Sequence, residues 1–258
     1  MTHFIRYRFG SLISYGILEG DTIRELRGDL FEHVQTGATL PLASVNLLAP
    51  CAPGKIFAVG LNYRSHLGGR PAPEQPEIFY KPISSLQDPE GPIVLPRDST
   101  NVHSEGELVV VAGKRARHVS PEEARTAIFG VTCGNDVSER EWQHGKHKDL
   151  QWWRAKGADT FAPLGPAIVT GIDYGNLLLQ TRIYAHGKKG DTVQKQYTSD
   201  LMFDCASIVS YISQWVTIEP GDVIYTGTPG STKKMNPGDT VEVEIEDIGV
   251  LRNPVIAE

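Results

Sequence analysis

The sequence predicts an α+β fold that is mostly β, on three observations. Strand-like runs outnumber helix-like runs along the 258 residues. The first 50 residues alternate short strand-like runs with turns. Only a few helix starts are marked, the clearest being two Ser-to-Glu capping boxes that begin at Ser120 and Ser138.

The N-terminal part predicts a small β-rich domain. Strand-like runs at 5–9, 14–18 and 22–26 are separated by turn residues. Pro50, Pro53 and Gly54 then interrupt the chain before a new strand at 56–60. We therefore expect an N-terminal domain at 1–50 and a catalytic domain at 51–258.

The segment 61–101 is expected to form a long irregular loop. Its seven prolines exclude long helices. A loop of this length within a compact domain is usually functional, so a lid or binding loop is expected here.

The remaining elements are better marked. Ser120 and Pro121 predict a helix to about Gly130, followed by a strand at 131–136 and a second capped helix after Asp136. Apolar residues at helical spacing predict a helix at 206–215, and strands are expected at 223–225 and 241–245.

Composition narrows the range of possible partners and cellular locations. A net charge of −6 argues against a nucleic acid or an acidic membrane surface as partner. No apolar run reaches the ~20 residues of a membrane span, and the N-terminus lacks a signal-peptide pattern, so a cytoplasmic location is predicted. Three widely spaced cysteines are typical of reduced thiols and argue against a disulfide or a cysteine metal site.

Glu105 and Glu107 are the most informative pair. They stand where an apolar run, 108–111, predicts a strand buried on both faces. Side chains two apart on a strand point to the same face, so both carboxylates lie together. Like charges beside a core need a cation between them, which predicts a metal site.

Asp136 supplies a third candidate ligand at the end of the next predicted strand, although such an aspartate alone is more often a turn or capping residue. Three carboxylates without a nearby cluster of cysteines or histidines favour a hard ion, Mg²⁺ or Mn²⁺, over zinc. Octahedral coordination would leave positions for a 2-oxo acid that chelates through its carboxylate and carbonyl oxygens.

Three polar residues follow Asp136. Arg140 and Gln143 share a face of the predicted helix and could stabilise an oxyanion, although a solvated face is the common alternative. Lys156 follows two tryptophans and is a candidate cation or proton donor, although most lysines lie on the surface.

Six ordered motifs resemble the fumarylacetoacetate hydrolase family over about residues 50 to 258. They are Asn62-Tyr63-Arg64-Ser65-His66, Phe79-Tyr80-Lys81-Pro82, Glu105-Gly106-Glu107-Leu108, Gly134-Asn135-Asp136-Val137-Ser138, the run from Lys156 to Pro166, and Tyr225-Thr226-Gly227-Thr228-Pro229-Gly230. The resemblance implies a catalytic domain with a rolled, mixed β-sheet, usually as a homodimer.

The resemblance also implies roles for individual residues. Glu105, Glu107 and Asp136 match the family's metal ligands, and Arg140, Gln143 and Lys156 match its oxyanion-stabilising residues. Two further residues, Thr228 and Arg64, are expected to contact the substrate.

His66 resembles the family's catalytic histidine, but the glutamate expected three residues later is Gly69. Glu74 or Glu77 could replace it from the same segment, and a loop histidine without a role is the alternative. An imidazole without such a partner is a less well oriented base.

The sequence therefore predicts a Mg²⁺- or Mn²⁺-dependent enzyme of a small, enolisable 2-oxo dicarboxylic acid from aromatic catabolism. The pattern is similar to members described as 2-hydroxyhepta-2,4-diene-1,7-dioate isomerases. The alternatives are an acylpyruvate- or fumarylacetoacetate-type C–C hydrolase, an oxaloacetate decarboxylase, and a non-catalytic descendant that binds metal and 2-oxo acid.

Overall fold

The computed structural model describes residues 1–185 and 190–258. Strands β1–β10 are Thr2–Phe9, Leu12–Glu19, Thr22–Gly28, His33–Pro41, Asn46–Leu48, Ile56–Gly60, Glu77–Lys81, Leu86–Gln87, Ile93–Leu95 and Val102–His103. Strands β11–β19 are Gly106–Ala112, Ile128–Asn135, Ser138–Glu139, Ala162–Thr170, Leu178–Tyr184, Asp191–Tyr197, Val223–Tyr225, Thr240–Ile245 and Gly249–Ala257. Helices α1–α4 are Pro121–Ala127, Arg140–His144, Trp153–Gly157 and Cys205–Ser213.

A mixed 12-stranded sheet dominates the fold, and its main path runs β4-β3-β2-β1-β14-β12-β11-β17-β6-β7. Most neighbours are antiparallel, while β17 and β6 run parallel. A 5-stranded sheet, β16-β15-β18-β19-β9, forms a second layer. The predicted α+β, mostly β class with a rolled mixed sheet is confirmed.

Strand β11 lies at the centre of the core and is buried along its whole length. Leu108 and Val110 pack into a cluster with α4 and the second sheet, and Val109 and Val111 pack into a cluster on the opposite face. The apolar run after the two glutamates is therefore covered on both faces, as the sequence predicts. Packing on both faces therefore holds β11 in place, and with it the two glutamates at its N-terminal end.

The N-terminal strands β1 to β4 continue the large sheet, because β1 pairs with β14 through Thr2 to Phe4. The division between domains at residue 50 stays a prediction. Within residues 1–185 and 190–258, every helix is too short or too polar to cross a bilayer.

The interpretation of 61–101 as one irregular loop is wrong in part. The segment contains β7, β8 and β9, and β7 pairs with β6 from Ile56↔Lys81 to Gly60↔Glu77. The prolines lie between the strands and not within them, so no ladder hydrogen bond is lost. The part nearest the pocket, 61–76, keeps only one short 3₁₀ turn.

The prediction of a capping box at Ser138 is also wrong. Ser138 lies in β13, and its hydroxyl donates to the Asp136 carbonyl at 2.7 Å. Glu139 caps α2 instead, because its carboxylate accepts from the Trp142 backbone N–H at 2.6 Å. The box at Ser120 is present, although α1 ends at Ala127 where β12 begins.

Candidate active site

Three carboxylates meet where β11 and β12 pair. Glu105 and Glu107 project to one face, and Asp136 directly follows β12, with its backbone N–H bonded to the Glu105 carbonyl at 2.8 Å. One oxygen from each carboxylate lies within 4.8 Å of the others. All three residues are at most 3% exposed, so their charges are almost fully desolvated.

Gly106 separates the two glutamates because its position faces the second sheet. A Cβ atom there would lie 2.1 Å from the Thr181 hydroxyl oxygen on β15, which no real side chain tolerates. The Glu-Gly-Glu pattern thus combines two polar positions that face the site with one position that only glycine fits.

Two lysines and an arginine surround this acidic group. Lys156 Nζ lies 2.5 Å from both Glu105 Oε2 and Asp136 Oδ2. Lys81 Nζ lies 2.5 Å from Asp136 Oδ1 and also donates to the Lys156 carbonyl. Arg140 donates to Glu105 Oε1 at 2.5 Å. Glu105 and Asp136 are therefore compensated by cations of the chain itself.

The pKa of Glu107 is shifted in the opposite direction from that of Glu105. Burial alone would raise the pKa of Glu105, but Arg140 and Lys156 outweigh it and hold that pKa well below its usual range. Burial together with the charges of Asp136 and Glu105 raises the pKa of Glu107 well above its usual range. Among the described residues, Glu107 has no cation within salt-bridge distance, and it accepts from the Gly227 backbone N–H at 2.8 Å.

This donor set fits a hard dication. It consists of carboxylate oxygens only, which suits Mg²⁺ or Mn²⁺. Of the residues that the structure describes, these three form the one cluster of acidic or sulfur and nitrogen ligands able to hold a metal ion. A dication would supply the compensation that Glu107 lacks. We therefore assign Glu105, Glu107 and Asp136 as the residues that could bind a metal.

Arg140 and Gln143 lie on the same face of α2, as their spacing predicts. Arg140 donates to Gln143 Oε1 at 2.6 Å and to the Thr232 hydroxyl at 2.9 Å. Because the amide oxygen is used by Arg140, the Gln143 NH₂ group is the end left to donate towards the pocket. His103 contacts the same threonine, because its Nδ1 lies 2.9 Å from the Thr232 hydroxyl oxygen.

Lys156 is held as an ammonium. Burial would lower its pKa, but the carboxylates of Asp136 and Glu105 outweigh burial, and the pKa is raised above the ordinary lysine value. A firmly protonated lysine stabilises negative charge but releases its proton reluctantly. Of the two proton carriers that the sequence offers, Lys156 is thus the poorer one.

His66 lies at the edge of the acidic group, in a 3₁₀ turn. Its Nδ1 is 2.6 Å from the Gly230 carbonyl oxygen, and its Nε2 is 3.7 Å from Glu105 Oε1. A carbonyl only accepts, so Nδ1 carries a proton and donates it to Gly230, while Nε2 faces the acidic group. The Gly230 carbonyl thus orients the imidazole where the sequence lacks the expected glutamate at Gly69.

Thr228 closes the site from the segment after β17. Its hydroxyl donates to the Gly106 carbonyl at 2.9 Å and accepts from Gln194 at 2.7 Å. Gly227 has φ +108°, and a Cβ there would lie 2.7 Å from the Asn62 Cβ, so this close approach requires glycine.

A single pocket collects most of the predicted residues, with an empty volume of about 410 Å³. The predicted residues that line it are His66, Glu105, Glu107, Asp136, Arg140, Gln143, Lys156 and Thr228. Arg64 does not line it and lies in a separate groove beside Gln196 and Asp200. Successive side chains of a 3₁₀ turn point in different directions, so His66 and Arg64 cannot face the same pocket.

Sequence reasoning missed four residues here. Lys81 contacts Asp136, while Arg70, His144 and Trp152 line the pocket. Lys81 lies in one of the six motifs, so its place in Phe79-Tyr80-Lys81-Pro82 was an available signal. Arg70 and His144 carried no such signal.

Two protein-family models match this chain. The family model described as fumarylacetoacetate (FAA) hydrolase C-terminal matches residues 55–256, and the one described as Rv2993c-like, N-terminal matches residues 2–50. The chain belongs to the fumarylacetoacetate hydrolase family. Named relatives of this family are enzymes, which include isomerases, hydrolases and oxaloacetate tautomerases.

Three relatives illustrate this range. A 2-hydroxyhepta-2,4-diene-1,7-dioate isomerase from Mycobacterium marinum is 39% identical with a TM-score of 0.90, covering 100% of this chain and 99% of that chain. The human mitochondrial oxaloacetate tautomerase FAHD2A is 40% identical over 84% of this chain and 71% of the relative. A maleylpyruvate hydrolase from Sphingobium, solved with manganese(II) and pyruvate, is 27% identical with a TM-score of 0.79, covering 99% of each chain.

Proposed function

We propose that this protein is a Mg²⁺- or Mn²⁺-dependent isomerase that moves a proton between the enol and keto forms of a small 2-oxo dicarboxylic acid. The preferred substrate type is 2-hydroxyhepta-2,4-diene-1,7-dioate, an intermediate of aromatic catabolism. One observation carries the proposal. A buried acidic group, suited to a dication, lies beside a histidine whose Nδ1 is held by a backbone carbonyl and not by a carboxylate.

The acidic group defines how substrate is held. Glu105, Glu107 and Asp136 would hold the ion through one oxygen each. When bound, the dication supplies Lewis acidity towards the carboxylate and 2-oxo oxygens and lowers the energy of the enolate. Both oxygens of Asp136 contact lysines, Oδ1 with Lys81 and Oδ2 with Lys156, so a bound ion would share or displace one of these contacts.

Charge on the enolate oxygen is stabilised by donors of the chain itself. Lys156 contributes a permanent positive charge, and the Gln143 NH₂ group donates a hydrogen bond. Arg140 fixes the position of Gln143 and offsets the charge of Glu105. Donors held in place before the reaction stabilise developing charge in a dry pocket more than in water.

His66 moves the proton. Its Nδ1 keeps its proton and donates it in a hydrogen bond to the Gly230 carbonyl, so Nε2 would accept the proton of the enol hydroxyl and return it to the carbon skeleton. The carbon chain stays intact, and no second nucleophile is needed.

Isomerisation is favoured over C–C hydrolysis for a specific reason. Hydrolysis needs a water molecule activated by a strongly oriented and polarised base, whereas here a neutral backbone carbonyl replaces the carboxylate at the histidine. Enolate formation needs only charge stabilisation and proton delivery. Hydrolysis, oxaloacetate decarboxylation and a non-catalytic, metal-binding descendant remain the alternatives.

A substrate panel tests the proposal. Enol-oxaloacetate, 2-hydroxyhepta-2,4-diene-1,7-dioate and an acylpyruvate are offered with Mg²⁺, with Mn²⁺ and with a chelator. We expect metal-dependent loss of enol absorbance for at least one diacid, with the carbon skeleton intact by NMR. Pyruvate or carbon dioxide as the main product would establish hydrolysis or decarboxylation instead, and metal-dependent binding without turnover would establish the descendant.

Two further properties are proposed with this function. We expect the protein to form homodimers, as its family usually does, and to act in the cytoplasm on a diffusible small molecule. Light scattering during size exclusion tests the first of these, because a monomer at micromolar concentration would contradict it.

A further inference from the structure

Arg70 lies at the mouth of the catalytic pocket and is exposed to solvent. Its side-chain Nε donates to the Leu67 carbonyl at 2.9 Å, and its backbone N–H donates to the same oxygen at 3.1 Å. These two bonds fix the stem of the side chain. The terminal nitrogens of the guanidinium remain available to a ligand.

The chain reaches this position through two glycines. Gly68 has φ +57° and Gly69 has φ +84°, a left-handed pair of conformations that L-residues rarely adopt. After this turn Arg70 lines the same pocket as His66. The same Gly69 that removes the expected glutamate therefore belongs to the turn that presents Arg70.

Charge distinguishes Arg70 from the other cations of the pocket. Lys156 is paired with Glu105 and Asp136, and Arg140 is paired with Glu105. Arg70 forms no ion pair with any acid in residues 1–185 or 190–258. Burial, together with the charges of Arg140, Arg70 and Lys156, lowers the pKa of His144, which lines the same pocket.

A 2-oxo dicarboxylate has a second carboxylate, which would not be needed for chelation of a metal ion at the acidic group. Its first carboxylate and 2-oxo oxygen suit the metal end of the pocket, while its distal carboxylate extends towards the mouth. A buried or half-buried carboxylate requires a cation, and a guanidinium can bind it through two parallel hydrogen bonds.

We propose that Arg70 binds the distal carboxylate of the substrate and thereby selects 2-oxo dicarboxylic acids over monocarboxylic ones. This inference rests on the proposed function, since it concerns the substrate class of the same site. It assigns to Arg70 the substrate contact that the sequence assigns to Arg64.

Calorimetry with two unreactive ligands tests the proposal independently of turnover. N-oxalylglycine mimics a 2-oxo diacid, and N-ethyloxamate has the same skeleton with a methyl group in place of the distal carboxylate. With Mg²⁺ present, Arg70→Gln should weaken the binding of N-oxalylglycine about 10- to 100-fold and leave the binding of N-ethyloxamate unchanged. Arg8→Gln, which replaces an exposed arginine on β1, is the matched control and should change neither.

Four results would overturn the proposal. For the wild type, they are equal binding of the two ligands and no binding of either. For Arg70→Gln, it is the loss of both ligands together. The fourth is a selective loss of N-oxalylglycine binding in Arg64→Gln instead, which would restore the sequence-based assignment. A failure of the proposed function can be told apart from a failure of this inference. In that case the substrate panel would show no turnover, while the affinities of the two ligands would still differ between Arg70→Gln and the wild type.

Discussion

Glu107→Gln is expected to abolish tight binding of Mn²⁺ and, with it, metal-dependent turnover, while the metal-free protein stays folded. Glutamine keeps the size of the side chain and can still accept from the Gly227 N–H, but it removes the charge that a dication needs. Titration followed by electron paramagnetic resonance of free Mn²⁺ measures the loss. We expect activity to fall by about 10²-fold or more.

The same variant should be more stable than wild type when a chelator is present. Because the pKa of Glu107 is raised in the folded protein, its contribution to stability is present at low pH and is lost as pH rises through that raised pKa. Glutamine stays neutral, so the advantage of the variant should grow with pH. Thermal unfolding across a pH series measures this.

Glu122→Gln is the matched control for both measurements, since Glu122 is exposed on α1 and does not line the pocket. It should change neither Mn²⁺ affinity nor the pH trend of stability. Unaltered Mn²⁺ binding by Glu107→Gln would remove Glu107 from the ligand set.

His66→Ala is expected to lower kcat by about 10²-fold, because it removes the group that carries the proton. Binding of Mn²⁺ and of oxalate should be unchanged, since neither needs Nε2. Steady-state kinetics together with calorimetry separate these two effects, and a loss confined to kcat identifies proton transfer rather than assembly of the site.

His147→Ala provides the comparison, because His147 is an exposed histidine outside the pocket. It should leave kcat unchanged. A reduction by His66→Ala of less than about threefold would show that another group moves the proton.

The acidic centre was predictable from sequence because its geometry is local. Two residues that are two apart on a strand must share a face, and the burial of 108–111 showed which strand it was. Asp136 ends the neighbouring strand, so the pairing of Glu107 with Gly134 brings all three carboxylates together. Arg140 and Gln143 followed from helical spacing in the same way.

Contacts between distant parts of the chain were not predictable. Lys81 lies 55 residues from Asp136 in sequence, and only the folded sheet brings the two together. The Gly230 carbonyl that orients His66 is a backbone group, which leaves no trace in the choice of side chain. Arg64 and Arg70 look alike in sequence, and only the direction of the turn separates them.

Strands with polar faces were missed for another reason. Strand β4 is mostly exposed and β16 alternates only weakly, so neither shows the apolar period on which strand prediction depends. The long proline-rich segment hid β7 similarly, because its prolines flank the strand and do not interrupt it.

A crystal structure with Mn²⁺ and oxalate tests the central claim most directly, since oxalate mimics the enolate of a 2-oxo acid. We expect one anomalous manganese peak about 2.1 Å from an oxygen of each of Glu105, Glu107 and Asp136, with one oxygen of each oxalate carboxylate and one water in the remaining octahedral positions. Manganese bound elsewhere, or oxalate held in this pocket without any ion at the three carboxylates, would contradict the claim.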